Sequence, residues 1–316
     1  MSTPAARMPL VSSLSRATPG KLALVLAFAV IYLVWGSTFL AIRVAVETLP
    51  PLSMAAVRFL VAGTVLLLGA GFSGPRPTAR QWLNAALVGG LFFLGNHGLL
   101  SVSARFIPSS VACIIIATEV PIIAVLSSLL LRDQPLTRRS ILGAVLGIGG
   151  VAWLLVGQRQ GPDALPLWPC LAVFAGSLCW ATGVVMSQRL AFPPNPVRRA
   201  GMQMVCGGAL LAIASLIRGE DLAFASFTAR SVGSFAYLIV FGSVLAFACY
   251  TWLLKQVRAD AVATHVFVNP IVAVAVGAWL GGERLAPAHF VSVGLILASV
   301  LVILGGARRD ASNPDT

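Results

Sequence analysis

Polar residues punctuate this chain sparsely. Apolar runs occupy roughly 22–41, 52–72, 82–102, 108–131, 138–157, 168–190, 200–217, 231–254, 260–281 and 287–305, with short polar connections between them. Each run is close to the ~20 residues, or ~30 Å at 1.5 Å per residue, that an α-helix needs to cross the hydrocarbon of a bilayer. The pattern predicts an all-α integral membrane protein, ten transmembrane helices in one bundle. Residues 1–21, with Arg7, Arg16 and Lys21 among Ser, Thr and Pro, read as a cytoplasmic tail, and residues 306–316 as a short polar tail. The first run continues through VWGSTFLAI, past the about 7–15 residues of a signal-peptide core, and so reads as a spanning helix.

Composition agrees with the pattern. Of 316 residues, 58% are hydrophobic and 10% charged, and the mean hydropathy is +0.92; a water-facing domain carries about 25% charged residues. A soluble globule and a disordered chain are both excluded. The formal net charge of +12 does not point to nucleic acid, because the basic residues stand in ones to threes between apolar runs and form no stripe. The positive-inside rule accounts for them: with both ends cytoplasmic, fifteen Lys and Arg fall in cytoplasmic segments, six fall outside, and Arg58 lies within a span. The five cysteines form no CxxC pair and read as small packing residues.

The two halves repeat each other. Adding 145 maps Trp35 onto Trp180, Pro51 onto Pro196, Gly63 onto Gly208 and Leu66 onto Leu211; adding 149 maps PIIAV from Pro121 onto PIVAV from Pro270. The repeats are residues 22–157 and 168–305. Five helices per repeat is an odd number, so the second enters the membrane from the opposite side, the inverted arrangement that transporters use around a midplane site. The segments WGSTFLAIRVAVETLPPLSMAAVRFLVAG, SARFIPSSVA, the Pro121 stretch and GGERLAPAHF resemble the EamA-type branch of the drug/metabolite transporter superfamily. The resemblance spans residues 22–305 and implies ten helices, cytoplasmic termini, residence in the inner (plasma) membrane, no ATP-hydrolysing domain, and secondary transport of small metabolites, often export of amino acids. Two departures stand out. The first repeat carries one extra residue before Pro121, which predicts a π-bulge there, and the second-half GERL is replaced in the first half by RDQPL.

Chemistry inside the spans is scarce and therefore informative. Glu119 is the one acidic residue in the interior of a span, where a charge is expensive unless it faces a cavity, is paired or is neutralised. It reads as a proton-coupling group, a counter-charge for a cationic solute, or a hydrogen-bonded structural acid. Pro121, and Pro270 with Asn269, interrupt the fourth and ninth runs in corresponding places. Arg58 is a gate or an anchor for a carboxylate, or a snorkelling residue, and its second-half counterpart is Gln203. His97 beside Asn96, and His265, are proton-relay or packing histidines. Trp35 with Ser37 and Thr38, and Trp180 with Thr182, read as a cavity wall or as core packing, and Tyr250 as an interfacial anchor or part of that wall. Gly143, Gly147 and Gly150 predict close helix contact, within the chain or in a homodimer.

No metal site is expected, for His97, His265 and Glu119 lack ligand spacing, and no cofactor motif is present. The partners expected are a small-molecule substrate, membrane lipid and protons. The sequence thus predicts a secondary transporter, a proton-linked exporter working by alternating access. The competing readings are a passive facilitator or channel, and a membrane enzyme or receptor on the same fold.

Overall fold

The computed structural model describes residues 20–71, 75–131, 137–157, 164–220 and 227–312. Arg7, Arg16 and the RDQPL segment lie outside these residues. Eight helical stretches are long and apolar enough to cross a membrane: α1 Lys21–Ala45, α2 Pro51–Gly69, α3 Ala79–Ser103, α4 Ser109–Leu130, α5 Arg138–Gly157, α6 Leu167–Arg189, α7 Pro196–Arg218 and α8 Ala229–Gln256. Then follow α9, in two pieces Ala259–Val262 and His265–Trp279, and α10, Pro287–Ser312, which carries the helical backbone into the segment expected as a polar tail. No strand forms among the described residues.

Local chemistry sets the helix ends. Pro51 and Pro196 occupy first-turn positions, where a missing N–H costs nothing. Thr78 and Gln81 form a reciprocal capping box on α3, Asn195 accepts from Val197 N and Arg198 N on α7, and Thr228 accepts from Ser231 N on α8. Gly219 closes α7 at φ 66°, a left-handed conformation that only glycine adopts without strain. The outward surface is apolar: Leu216, Ile217 and Trp279 are each at least 80% exposed, as a lipid-facing surface requires.

The repeat relation governs the packing. Counterpart helices α2 and α7 make the most extensive interface among the described residues, and the counterparts α5 and α10 also pack extensively. At the first crossing the matched glycines face the opposite helix. A Cβ on Gly63 would lie 2.8 Å from Met204 Cβ, and one on Gly208 would lie 2.9 Å from Leu60 N. The α5 stripe is filled by α10: a Cβ on Gly143 would lie 2.5 Å from Ile303 Cγ1, and one on Gly150 3.2 Å from Ser292 O. Outside these axial pairs, α1 packs on α9 and α8, while α6 packs on α4 and α3. Each repeat's first helix is therefore seated among the third and fourth helices of the other.

Gly208→Val is expected to cost about 1–3 kcal/mol by overpacking a crossing whose neighbour is backbone. Gly149→Ala, where the added methyl meets nothing within 4 Å, is expected to gain up to about 1 kcal/mol of helix propensity. Thermal unfolding in detergent, followed through the buried thiols, checks both. Equal melting temperatures for the two variants would contradict the tight crossing.

Candidate functional site

The central helices are broken where transport chemistry would need freed backbone. In α4 the break falls at Ala117–Thr118, between Ser109–Ile116 and Glu119–Leu130. Pro121 cannot donate an N–H and its ring crowds the carbonyl four residues earlier, which belongs to Ala117. The expected π-bulge before Pro121 is thus a correction: the strain is released as a turn. The π-helical stretches lie instead in the counterpart helices α3 and α8, at Gly90–Gly98 and Leu238–Leu245. The expectation for Pro270 changes too. The helix runs through it, and α9 breaks upstream at Ala263–Thr264. Local hydrogen bonds at that turn from Val266 N to Ala263 O and from Phe267 N to Thr264 O tighten the chain before the proline is reached.

The two breaks are built alike. Thr118 Oγ1 donates to Ile115 O at 2.6 Å, and Thr264 Oγ1 donates to Ala261 O at 2.5 Å. The tetrapeptides are Ala117-Thr118-Glu119-Val120 and Ala263-Thr264-His265-Val266. Glu119 and His265 are each the first residue of the helical piece that follows. The fold therefore puts one ionisable side chain at the equivalent interior position of each repeat.

Their surroundings differ. Asn96 Nδ2, buried on α3, donates to Glu119 Oε1 at 2.8 Å. His265 Nδ1 donates to Val262 O at 2.9 Å and its ring packs on Trp35 and Tyr250, with centroids 5.0 and 5.9 Å away. His97 follows the same plan in the first repeat: Nδ1 donates to Phe92 O at 3.0 Å, five residues back in the π stretch, and the ring lies among Phe59, Phe93 and Trp180. In both histidines Nε2 is the nitrogen left for proton exchange. Trp35 Nε1 donates to Gly242 O at 3.1 Å. Thr38, buried, donates back to Trp35 O, and Thr182 donates to Leu178 O. Ser37 turns away from the ring cluster and pairs with Tyr237 OH at 2.7 Å in a lateral groove.

Arg58 is 5% exposed, yet among the described residues it has one side-chain hydrogen-bond partner, Ser243 Oγ on α8, 2.8 Å from Nε. Its Cζ stands 4.8 Å from the Phe59 ring centroid, and no described carboxylate pairs with it. Neither terminal NH2 group has an acceptor among the described residues. A buried guanidinium in this condition is costly, and its fork matches a carboxylate in shape and charge. Asn269 Oδ1 and Gln203 Nε2, the latter on the counterpart of Arg58, are buried without hydrogen-bond partners among the described residues.

One end of the bundle is sealed by carboxylates. Glu283, in the loop after α9 with its side chain 2% exposed, accepts from Arg43 Nη1 at 2.6 Å and from the N–H and hydroxyl of both Ser109 and Ser110 at 2.6–3.1 Å. Burial pushes this carboxyl's pKa up, but the hydrogen bonds from Ser110 and Ser109 outweigh it and hold the group below the ordinary carboxylate range. Glu220, after α7, accepts from Leu52 N and Ser53 N at the start of α2 and from Ser215 Oγ. Each carboxylate thus caps the counterpart of the helix it follows. At the other end the corresponding contact runs from Arg198 to the carbonyls of Gly71 and Pro75, and Ala259–Val262 packs on α8 with no comparable packing on α4 among the described residues. At the Glu283 face the end of α1, the start of α4 and the loop after α9 are therefore tied together.

The description "EamA-like transporter family" is matched twice, over residues 22–156 and 167–305, one match per repeat. The chain belongs to the EamA-like transporter family. It is 36% identical over 286 residues to the uncharacterized inner membrane transporter YedA of Escherichia coli, covering 88% of this chain and 90% of that one. It is 26% identical over 288 residues to a probable terminal-alkyne amino-acid exporter of Streptantibioticus cattleyicolor, covering 89% and 94%. A solved crystal structure shares its fold at a TM-score of 0.62 and 22% identity, over 92% of this chain and 99% of the other. Several residues of this EamA-like transporter escaped the sequence reading: Thr118, Thr264, Ser243 and the Glu220 and Glu283 caps. The repeated Ala-Thr-x-Val tetrapeptide was the available signal for the first two.

Proposed function

We propose that this EamA-like transporter is a proton-coupled exporter of small amphipathic solutes bearing a carboxylate, amino acids among them, in the inner membrane of a bacterial cell. The observation that carries the reading is the placement of Glu119 and His265 at equivalent helix breaks inside the bundle, one in each repeat. A side chain that gains and loses a proton there links proton passage to the exchange of the open face, whereas a passive pore has no use for one. The ten-span topology with cytoplasmic ends follows from the distribution of Lys and Arg and puts the Glu283 face outside. The name of the Streptantibioticus relative, a probable amino-acid exporter, supports both direction and solute class. Arg58 supplies the carboxylate anchor, with Asn269 offering an unoccupied acceptor to an amine or hydroxyl.

Transport in liposomes, with a panel of labelled amino acids and amphipathic acids and with or without an imposed pH gradient, tests the reading. Accumulation against a solute gradient only when the pH gradient is present supports coupling. Equilibration indifferent to the pH gradient makes the protein a facilitator. For Arg58→Gln, the preference for a free carboxylate over the matching amide is expected to fall at least about tenfold, from the ~1.5–3 kcal/mol of a charge-assisted hydrogen bond. The melting temperature should hold or rise, because the guanidinium has no ionic partner to strand. A lost melting temperature with an unchanged preference would make Arg58 structural.

A further inference from the structure

A lateral groove of about 480 Å³ runs between α1, α8 and α9 on the half of the bundle nearer the Glu283 face. Three helical stripes make it. Leu33, Ser37, Leu40 and Val44 follow one face of α1; Arg230, Ser234 and Tyr237 follow one face of α8; Val272, Val276 and Leu280 close the third side from α9. All three stripes are spaced at three or four residues, so each presents a continuous wall. The groove opens sideways, where Leu33 and Leu280 are 59% and 64% exposed, and not into the ring cluster around Trp35.

Its dimensions are those of one leaflet. From Leu33 to Val44 the groove covers eleven residues of helix, ~16 Å at 1.5 Å per residue, against ~15 Å for half of a 30 Å hydrocarbon core. A groove of this length and volume has room for an acyl chain. Chemistry is graded along it. Arg230 stands at the rim in the first turn of α8, exposed and without a partner among the described residues. Ser234 lies one turn deeper, ~5–6 Å along the axis, at the level an ester linkage would reach. Further in, Ser37 and Tyr237 satisfy each other across the floor, so neither of these two hydroxyls meets a hydrocarbon chain unpaired. The aliphatic walls, Leu40, Val44, Val276 and Leu280, lie between that pair and the rim, and Leu33 lies beyond it.

We propose that this groove is a binding site for an anionic phospholipid, which lays one acyl chain between α1 and α9 and sets its phosphate on Arg230. The cation at the rim selects a net negative headgroup, and the unpaired guanidinium geometry suits phosphate oxygens. Binding there would wedge α1 against α9 and α8, the helices that carry Trp35, His265 and Tyr250, so the lipid bears on the same contacts that must slide during the transport cycle.

Native mass spectrometry of the full chain, released from nanodiscs of phosphatidylglycerol mixed with phosphatidylcholine, tests the site. The intact protein is expected to retain one phosphatidylglycerol at least tenfold in preference to phosphatidylcholine. Arg230→Gln should abolish the preference while leaving the melting temperature unchanged, and Ala41→Trp, at a residue that also lines the groove from α1, should fill it and reduce retention of both lipids. Glycerol phosphate, which has the headgroup but no chain, should not bind. Preference undiminished in Arg230→Gln, or retention undiminished in a folded Ala41→Trp, overturns the proposal. Occupancy by dodecanoate with exclusion of phosphatidylglycerol also overturns it and makes the groove a path for single-chain solutes.

Discussion

Glu283→Ala is expected to open the sealed face of the bundle, raising the reactivity of Cys113 toward a membrane-impermeant maleimide at least about tenfold. Cys113 lies one turn into α4 beyond Ser109 and Ser110, is 2% exposed, and is shielded while those serines are held. The Glu283 carboxylate ties together the end of α1, the start of α4 and the loop after α9. Charge-assisted hydrogen bonds contribute ~1.5–3 kcal/mol each, and removing one partner of a buried ionic cluster costs ~3–5 kcal/mol. A tenfold rate needs only ~1.4 kcal/mol of that to distinguish the closed from the open arrangement. The measurement uses a chain in which Cys170, Cys179, Cys206 and Cys249 are replaced by serine. Glu283→Gln should behave similarly, since its amide sets donors against the Ser110 donors. Arg43→Gln should do less, because Arg43 is 36% exposed and its bond is screened. An unchanged labelling rate in a folded Glu283→Ala would show that the seal does not hold this face shut.

The pH behaviour of the seal follows from the sign of the Glu283 shift. A carboxyl held below its ordinary pKa in the folded protein contributes stability that is fully present above the unfolded value, ~4.3 for glutamate. That stability is lost only as the pH falls through the lowered folded value. Cys113 labelling, corrected for the thiolate fraction of a free thiol in the same buffer, should therefore be flat from about pH 5 to pH 8 and rise only in stronger acid. A rise between pH 7 and pH 5 would mean that another group titrates at the seal. Titration of Glu283 therefore does not release this latch between about pH 5 and pH 8.

Much of this architecture is legible in the chain because lipid leaves so few options. Only a helix or a closed barrel satisfies its backbone in hydrocarbon, so apolar runs of about twenty residues read directly as helices. The Gly63/Gly208 correspondence survives because counterpart helices meet at a close crossing, and Trp35/Trp180 because each half-buried indole packs on a histidine and an aromatic ring. Other features were hidden by geometry that the pattern does not encode. Pro121 and Pro270 align at an offset of 149, but Ala117-Thr118-Glu119-Val120 and Ala263-Thr264-His265-Val266 align at 146, so anchoring on the prolines masks the equivalence of Glu119 and His265. The helix in α9 tolerates its proline while the one in α4 breaks beside its own, a difference of local hydrogen bonding. The Glu283 and Glu220 caps are contacts across more than 160 residues, created when the two repeats interdigitate. In the sequence Glu220 is an ordinary loop acid, and the GGERL segment that holds Glu283 gives no sign of its partners.

The interior acid leads to the other large effect. Glu119→Gln is expected to abolish accumulation driven by a pH gradient while leaving solute exchange across liposomes intact. The amide side chain would still offer an oxygen to Asn96 Nδ2, so the 2.8 Å bond across α3 and α4 survives and the break at Thr118 keeps its shape. What disappears is the ability to carry a proton between faces. A gradient of one pH unit is worth ~1.36 kcal/mol per proton, so one-for-one coupling sustains about a tenfold solute gradient in the intact protein and none in the variant. Exchange of labelled for unlabelled solute requires only that the loaded carrier change faces, and it serves as the control for folding and binding. His265→Gln shows whether the second repeat takes part. Accumulation falls in that variant too when proton passage uses both breaks, and stays near tenfold when Glu119 suffices. Tenfold accumulation in Glu119→Gln would remove the carboxyl from coupling and leave the two histidines, each with Nε2 unbonded and Nδ1 committed to a carbonyl, as the groups able to carry the proton.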